Sequence, residues 1–393
     1  MKLAYYPGCS LDGSAIEYGL STQRVASIMG VELKEIEDWN CCGATAGHNT
    51  DKLLSLALPA RNLALAEKEG LDVLAPCAAC YNRFKAAEHA VREDEELKAK
   101  IEHIIDMPYK ASNNTVSVLE WLTDIGLDHI KKKVKNSLKG MKAACYYGCL
   151  LVRPSSHTGF DDPEDPRSMD EIVKALGAEA VDWAYKTECC GAALATSRPE
   201  IGSKMIYEVL RDAKEAGAEC IVTACPLCMM NLDMRQGQVE KRFKEKFNLP
   251  VYYITELVAI ACGDKPEEAG VNKHFVEAMS YLKELPAKAA RIEEEEKAKE
   301  AAKKAKVKET SEESDDETKK KIDAMLKGLE KNPEKVVSKL LEDEEKVKIL
   351  AEVIKEDEKK RVKLAEAMVT DKEKAAKMAE ALVAGELKKR QKA

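Results

Sequence analysis

The sequence predicts an α/β protein made of two copies of one domain, each with a small parallel sheet and flanking helices, followed by an all-α, charged C-terminal extension. Three observations carry this. A set of five cysteines recurs in two halves at closely matched spacing. Short apolar runs alternate with helical patterns in each half. The composition changes after residue 264, where Glu, Lys and Ala take over.

The repeat comes first. One set is Cys9, Cys41-Cys42 and Cys77/Cys80; the other is Cys149, Cys189-Cys190 and Cys225/Cys228. The single cysteine and the pair are separated by 31 residues in the first half and 39 in the second, and the pair and the CxxC by 34 in both. The neighbours repeat too. Tyr6-Pro7-Gly8-Cys9 matches Tyr146-Tyr147-Gly148-Cys149, and Asn40-Cys41-Cys42-Gly43-Ala44 matches Glu188-Cys189-Cys190-Gly191-Ala192. Each half closes on a similar segment, Val118–Leu122 against Ile254–Val258. This is duplication of a whole domain, with bounds 1–135 and 136–263.

Lys2–Tyr6 and Ala143–Tyr147 read as strands that deliver a cysteine at their carboxyl ends. Ser14–Met29, Asp51–Glu69 and Pro199–Ala216 carry helical spacing, and Gly70 and Gly217 act as stops. Asp72–Ala75 and Glu219–Thr223 read as buried strands leading into CxxC. Functional groups at the carboxyl ends of parallel strands fit the general rule for open α/β sheets. Arg153–Arg167, with three prolines and four acidic residues, is a loop beside the second cysteine set.

Residues 264–330 read as a charged linker, helical or disordered. Residues 331–393 hold a 14-residue repeat: Leu350, Leu364 and Met378 are equivalent, as are Ile354, Met368 and Leu382. Acidic breaks near Asp357 and Asp371 predict short helices, either self-packed or a docking module for a partner protein.

Charged residues make up 34% and hydrophobic ones 45% of 393 residues, with a formal net charge of -7. No basic block is interleaved with aromatics, which argues against nucleic acid. No apolar run approaches a membrane span, so no membrane insertion is expected. The N-terminus reads as a strand rather than a secretory signal, which predicts a cytoplasmic protein. There the thirteen cysteines read as reduced ligands, not a disulfide framework.

Thiolates suit iron in clusters and zinc alike. Adjacent cysteines point opposite ways on a strand, so both reach one centre only from a tight turn, which Gly43 and Gly191 permit. A structural zinc site closes with four ligands. Five thiols per half exceed that and favour a multi-iron cluster, with zinc in one half left as an alternative.

The pattern C-x31-39-CCG-x34-CxxC, present twice, resembles the CCG-domain family. The loop Leu150–Pro154 with Asp161–Pro166 resembles the B subunit of heterodisulfide reductase; the resemblance spans residues 1–263. It implies two noncubane [4Fe-4S] clusters, held by Cys9, Cys41, Cys42, Cys77 and Cys80 and by Cys149, Cys189, Cys190, Cys225 and Cys228. It implies a catalytic role in anaerobic metabolism, reducing a disulfide to two thiols, of the coenzyme M–coenzyme B type in a methanogen. The implied partners belong to the same complex: its small ferredoxin-like iron–sulfur component and its flavin-bearing component. The alternative within the family is an electron-transfer component of a succinate-, glycolate- or lactate-oxidising complex.

Other residues carry less. His157 is a candidate proton donor, and Arg153 a candidate anion-holding group that could equally pair with Asp161 or Asp162. His48 lies near Cys42. Cys145, Cys220, Cys262, Trp121 and Trp183 read as core.

Overall fold

The computed structural model describes the backbone of residues 1–390, with side chains described outside 301–316. The chain forms two compact units, Met1–Ile292 and the segment from Glu293 onward.

The first unit holds two parallel four-stranded sheets of identical topology. In the first, β1 (Lys2–Tyr5) lies between β2 (Glu32–Glu35) and β3 (Val73–Leu74), and β4 (Thr115–Val116) flanks β3. In the second, β5 (Lys142–Tyr146) lies between β6 (Glu179–Ala180) and β7 (Cys220–Thr223), with β8 (Val251–Tyr253) outside β7. In each half the first strand ends ahead of the single cysteine and the third ahead of the CxxC. All strands of a sheet run the same way, so both motifs emerge at one edge. The inner strands β1, β3, β5 and β7 are largely apolar and buried, as strands covered by helices on both faces are, whereas the edge strands β2 (Glu-Leu-Lys-Glu) and β6 (Glu-Ala) are polar and more exposed. Cys145 and Cys220 are buried strand residues, Cys262 ends the Ile254–Ala261 helix, and Trp121 and Trp183 lie in the core.

The halves share one hydrophobic core, and they interlock reciprocally. The Ile16–Met29 helix of the first half packs on the Ile254–Ala261 helix that ends the second. The Ser168–Ala175 helix of the second half packs on the Val118–Ile125 helix that ends the first. The first crossing is fixed by a 2.7 Å bond between the Ser21 and Thr255 hydroxyls and by Arg24, whose guanidinium bonds both oxygens of Asp264 at 2.7 Å.

The expected linker therefore starts too early. Residues 264–292 belong to the first unit. Asp233 accepts the N–H groups of Phe275 and Val276 at 2.8 Å each, Tyr252 donates to Ala278 O at 2.6 Å, and Ala278, Leu282 and Leu285 are buried. The backbone then runs as one helix, Met279–Lys331.

The second unit packs the 14-residue repeat into three helices, Glu344–Glu356, Glu358–Thr370 and Lys372–Arg390. The acidic breaks are their caps: Asp343, Asp357 and Asp371, themselves 14 residues apart, accept the N–H of Lys346, Lys360 and Lys374 at 3.1 Å. Leu350, Leu364 and Ile354 are fully buried in this unit's own core, with Met368, Met378 and Leu382 packed against it.

Two expectations follow. The hydrophobic cores of the units share no residue, so a chain ending at Ile292 is expected to melt cooperatively and to keep the far-ultraviolet dichroism of an α/β protein; loss of cooperative melting would show that the first unit does not stand alone. Gly191 has φ +87° with its Cβ position 3.2 Å from Gly202 Cα, whereas Gly217, at φ +83°, faces open space. Both alanine variants incur left-handed strain of about 1–2 kcal/mol. Gly191→Ala is expected to lower the thermal midpoint further than Gly217→Ala, because only the former also crowds backbone.

Candidate functional site

Each cysteine set is assembled by the same three devices. A tyrosine at the end of the first strand ties it to the residue before the cysteine pair: Tyr6 donates to Asn40 O at 2.9 Å and Tyr146 to Glu188 O at 2.6 Å. The pair then turns sharply. Gly43 has φ +73° and Gly191 +87°, and their N–H groups point at Cys41 Sγ (3.4 Å) and Cys189 Sγ (3.3 Å). Finally, the CxxC opens a helix, at Ala78–Glu93 or Pro226–Met229.

The structure brings the cysteines of each half into one neighbourhood, with close sulfur pairs in each: Cys149 bonds Cys189, Cys80 bonds Cys77, and Cys9 lies near enough to Cys41 for its charge to act on it. Cys42 and Cys80 lie 3.1 Å apart, Cys190 and Cys228 3.8 Å. Burial pushes the Tyr6 hydroxyl far up, reinforced by the charges of Cys80, Cys42, Cys41 and Cys9; Tyr146 is raised in the same way by burial and by Cys228, Cys190, Cys189 and Cys149. Crowded sulfurs share protons: hydrogen bonds from Cys41 and Cys80 hold the Cys42 thiol down, and one from Cys149 holds Cys189 down against burial. The cysteines Cys42, Cys77, Cys80, Cys190, Cys225 and Cys228 are buried, Cys149 and Cys189 half-buried, and Cys9 and Cys41 exposed. Among the described residues, no three His, Cys, Asp or Glu side chains converge on the position of one bare metal ion.

The two sets also meet. The Tyr18 hydroxyl, fully buried, is shared between Pro76 O and Ala224 O at 3.2 Å each, the carbonyls directly before Cys77 and Cys225. Cys77 and Cys225 face each other closely enough that each shifts the other's titration. Ala78 and Ala79, from the first CxxC, line a narrow cleft with Cys149, Cys189, Cys225 and Cys228. Leu150 and Leu227 make that cleft largely apolar. Asn82 holds the loop after Cys149 in place, donating to Leu150 O at 3.0 Å and Arg153 O at 2.7 Å.

The remaining candidates fare differently. Arg153 is committed to its own loop, and not through Asp161 or Asp162. Its guanidinium donates to Pro163 O (2.8 Å), Glu164 (2.9 Å) and the Thr187 hydroxyl (3.0 Å), which leaves it a loop clamp rather than an anion holder. His157 stacks against His89 with 6.2 Å between centroids, and burial lowers its pKa, helped by the charges of His89, Arg83 and Lys85; no cysteine is among the groups that shift it. His48 is exposed. Sequence reading missed Tyr18 and Asn231. Asn231 donates to Cys190 O (3.1 Å) and Ala192 O (3.2 Å), bracing the second turn. Tyr6 and Tyr146 were visible as part of the repeat, yet only the fold shows that their hydroxyls hold the cysteine pairs.

Comparison with known proteins agrees with this architecture. The cysteine-rich domain family CCG matches residues 3–85 and 143–233. The chain is 36% identical to the membrane anchor component of the 8-methylmenaquinol:fumarate reductase of Wolinella succinogenes, over 70% of this chain and 98% of that protein. It is 30% identical to a protein of Archaeoglobus profundus described as like the heterodisulfide reductase B subunit (69% and 94%). It is 29% identical to the B subunit of a CoB-CoM heterodisulfide reductase of Methanosarcina acetivorans (72% and 97%). Among solved structures, a hypothetical protein from Helicobacter pylori shares the fold with a TM-score of 0.57 at 14% identity, covering 70% of this chain and 52% of that one. With the motif present in both halves and relatives spanned almost end to end, the chain belongs to the CCG cysteine-rich domain family and resembles the B subunit of heterodisulfide reductase.

Proposed function

We propose that this protein is the iron–sulfur redox component of a larger oxidoreductase complex and reduces a disulfide to two thiols. Cys9, Cys41, Cys42, Cys77 and Cys80 would hold one noncubane [4Fe-4S] cluster, and Cys149, Cys189, Cys190, Cys225 and Cys228 a second. The observation that carries the reading is the meeting of the two sets at Cys77 and Cys225 under Tyr18. The donors fit such a group: five thiols per half, with backbone N–H groups already aimed at sulfur.

Bound there, the clusters would supply one-electron storage and iron with affinity for thiolate sulfur. Cleavage of R–S–S–R′ takes two electrons and two protons and releases RSH and R′SH, so paired sets suit it. The chain's own part is to gather the thiols, to offset their negative charge with the Gly43 and Gly191 N–H groups, and to offer an apolar cleft for the substrate's alkyl arm. Ferredoxin-like and flavin-bearing partners would supply electrons, in the cytoplasm. No helix among the described residues is long and apolar enough to cross a membrane.

A second reading is favoured by the 36% identity to a component of a fumarate reductase. In it the paired centres pass electrons to or from a succinate-, glycolate- or lactate-type oxidoreductase without disulfide chemistry.

Anaerobically purified protein is expected to contain about eight iron per chain, four per cluster. Cys42→Ser and Cys190→Ser should each remove about half, as read by iron and acid-labile sulfide assays. Zinc in place of iron would overturn the redox reading. With reduced viologen as donor, iron-replete protein in its complex should release two thiols per mixed alkyl disulfide, together with a new paramagnetic signal when thiol is added to the oxidised form. Full iron with no thiol release would select the second reading.

A further inference from the structure

The two halves differ in charge beside their cysteine sets. The cysteine pair and the CxxC stand 34 residues apart in both, so one register runs through both motifs. Past the CxxC, residues 93–96 of the first half are Glu-Asp-Glu-Glu, and those at the same register in the second, 241–244, are Lys-Arg-Phe-Lys. Past the cysteine pair, Thr50-Asp51 of the first half stands where Arg198-Pro199 stands in the second.

The cations of the second half gather on one face. Arg235 donates to the Thr196 hydroxyl at 2.9 Å and Arg242 to Pro199 O at 3.3 Å, which brings the Gln236–Phe243 helix against the turn that carries Arg198. Arg198, Lys241, Arg242 and Lys244 are exposed. Among the described residues Arg235, Lys241, Arg242 and Lys244 have no carboxylate partner, and Arg198 reaches Glu200 only at 4.0 Å. The acids nearby are spent internally. Glu240 takes Lys246 and the N–H groups of Phe247 and Asn248, and Glu245 takes the Tyr207 hydroxyl. Leu194, 39% exposed, and Ile201, 46% exposed, lie on either side of Arg198 in the chain.

This face borders the second cysteine set. The Leu194 N–H donates to Gly191 O at 2.7 Å, and Asn231, on the turn that leads to Arg235, bonds Cys190 O and Ala192 O.

We propose that this face docks a protein with an acidic surface that carries a one-electron centre and gives its electrons to the second cysteine set. The proposal rests on the iron–sulfur reading for its electron acceptor. Each docking oxidises the partner by one electron and reduces the second centre by one, and two such steps match the two electrons that a disulfide takes. The Gln236–Phe243 helix alone is about 12 Å long, so its cations are spread too widely for one small anion. Arginine around exposed aliphatic residues is the make-up of a protein interface. Phe243, the one aromatic in the run, is already stacked on Tyr207 with 4.3 Å between centroids, which leaves no ring there for a nucleic-acid base. The first half, acidic at the same register, repels the same partner, so the duplicated fold has one docking face.

The test is calorimetric titration of full-length, iron-replete, anaerobic protein with a small acidic ferredoxin, at low and at high salt. Saturable binding is expected at low salt, weakening as salt screens the charges. The triple variant Arg198→Glu, Lys241→Glu, Lys244→Glu should weaken low-salt binding at least about tenfold, because like charges then meet. The triple variant Lys131→Glu, Lys132→Glu, Lys133→Glu makes the same change in net charge on the Leu127–Lys133 helix, which carries no cysteine of either set, and should bind as wild type does. Thermal midpoint and iron content are measured on every sample, and glutamine at 198, 241 and 244 replaces the charge reversal if that variant misfolds. In stopped flow, reduction of the protein by reduced ferredoxin should slow by the same factor as binding weakens. No salt-dependent binding by iron-replete wild type, or equal loss in both triple variants, overturns the proposal while leaving the iron–sulfur reading intact. Tighter binding of duplex DNA or of phosphatidylglycerol vesicles to this face than of ferredoxin overturns the partner. Iron-free protein that alone is obtained, and that still binds ferredoxin here, would overturn the electron acceptor and keep the docking face.

Discussion

The first unit depends on one meeting point, the shared hydroxyl of Tyr18 between Pro76 O and Ala224 O. A CxxC loop at the end of a parallel strand exposes backbone carbonyls that the sheet no longer satisfies, and buried carbonyls need a donor. One tyrosine serves both loops, so the two strand ends must lie side by side. Tyr18 can reach them because its helix, while still packed on β2 of its own half, also packs on the Ile254–Ala261 helix of the other. The contact is reciprocal, and it makes the pair of halves, rather than the single half, the unit that holds the core together. Cys77 and Cys225 face each other as a consequence.

Around that point each half solves the same electrostatic problem. Gathering five sulfurs places negative charge where water is scarce. Burial alone would keep every thiol protonated, and the structure counters it locally. The left-handed glycine of each CCG turn lets its N–H face a sulfur two residues back, in the arrangement of a small anion nest. The tyrosine that holds the carbonyl before each pair fixes the approach to the turn. A flexible loop could present the same residues, but it would lose their geometry to conformational entropy.

Much of this was legible in the sequence, and the rest was not for definite reasons. Cysteine spacing and strand-end placement were local signals, and the sheets carry them as read. The 14-residue repeat was legible as helices because Asp343, Asp357 and Asp371 cap at that same interval. Residues 264–292 were misplaced because Asp264–Glu268 looks like linker. The apolar spacing at Val271, Ala278, Leu282 and Leu285 was the available signal, and the charged run beyond it drowned it. Arg153 shows a different limit. An arginine beside a cysteine set suggests ligand binding, and only the fold shows its fork filled by Pro163, Glu164 and Thr187. The packing of each half's helix on the closing helix of the other leaves no trace in spacing or periodicity at all.

Duplication gave two equal scaffolds, and their sites have since diverged. Cys9 and Cys41 are exposed in the first set, whereas their counterparts Cys149 and Cys189 are half-covered. The loop after Cys149 is itself held by Asn82 of the first half, so one half braces the surroundings of the other's cysteine. The closing helices diverge in the same direction. Glu120 and Glu256 occupy equivalent positions and both reach back to a backbone N–H, of Ser117 and of Tyr253. Glu120 then takes the Tyr81 hydroxyl at 3.2 Å, while Glu256 takes a histidine that the first half does not have. That histidine comes from residues 264–292, which the first repeat has no room to copy, because the second repeat begins where such a segment would lie. The chain past the second repeat thus supplies the second half with a buried histidine–carboxylate pair that the first half lacks, and the two halves are not chemically equivalent.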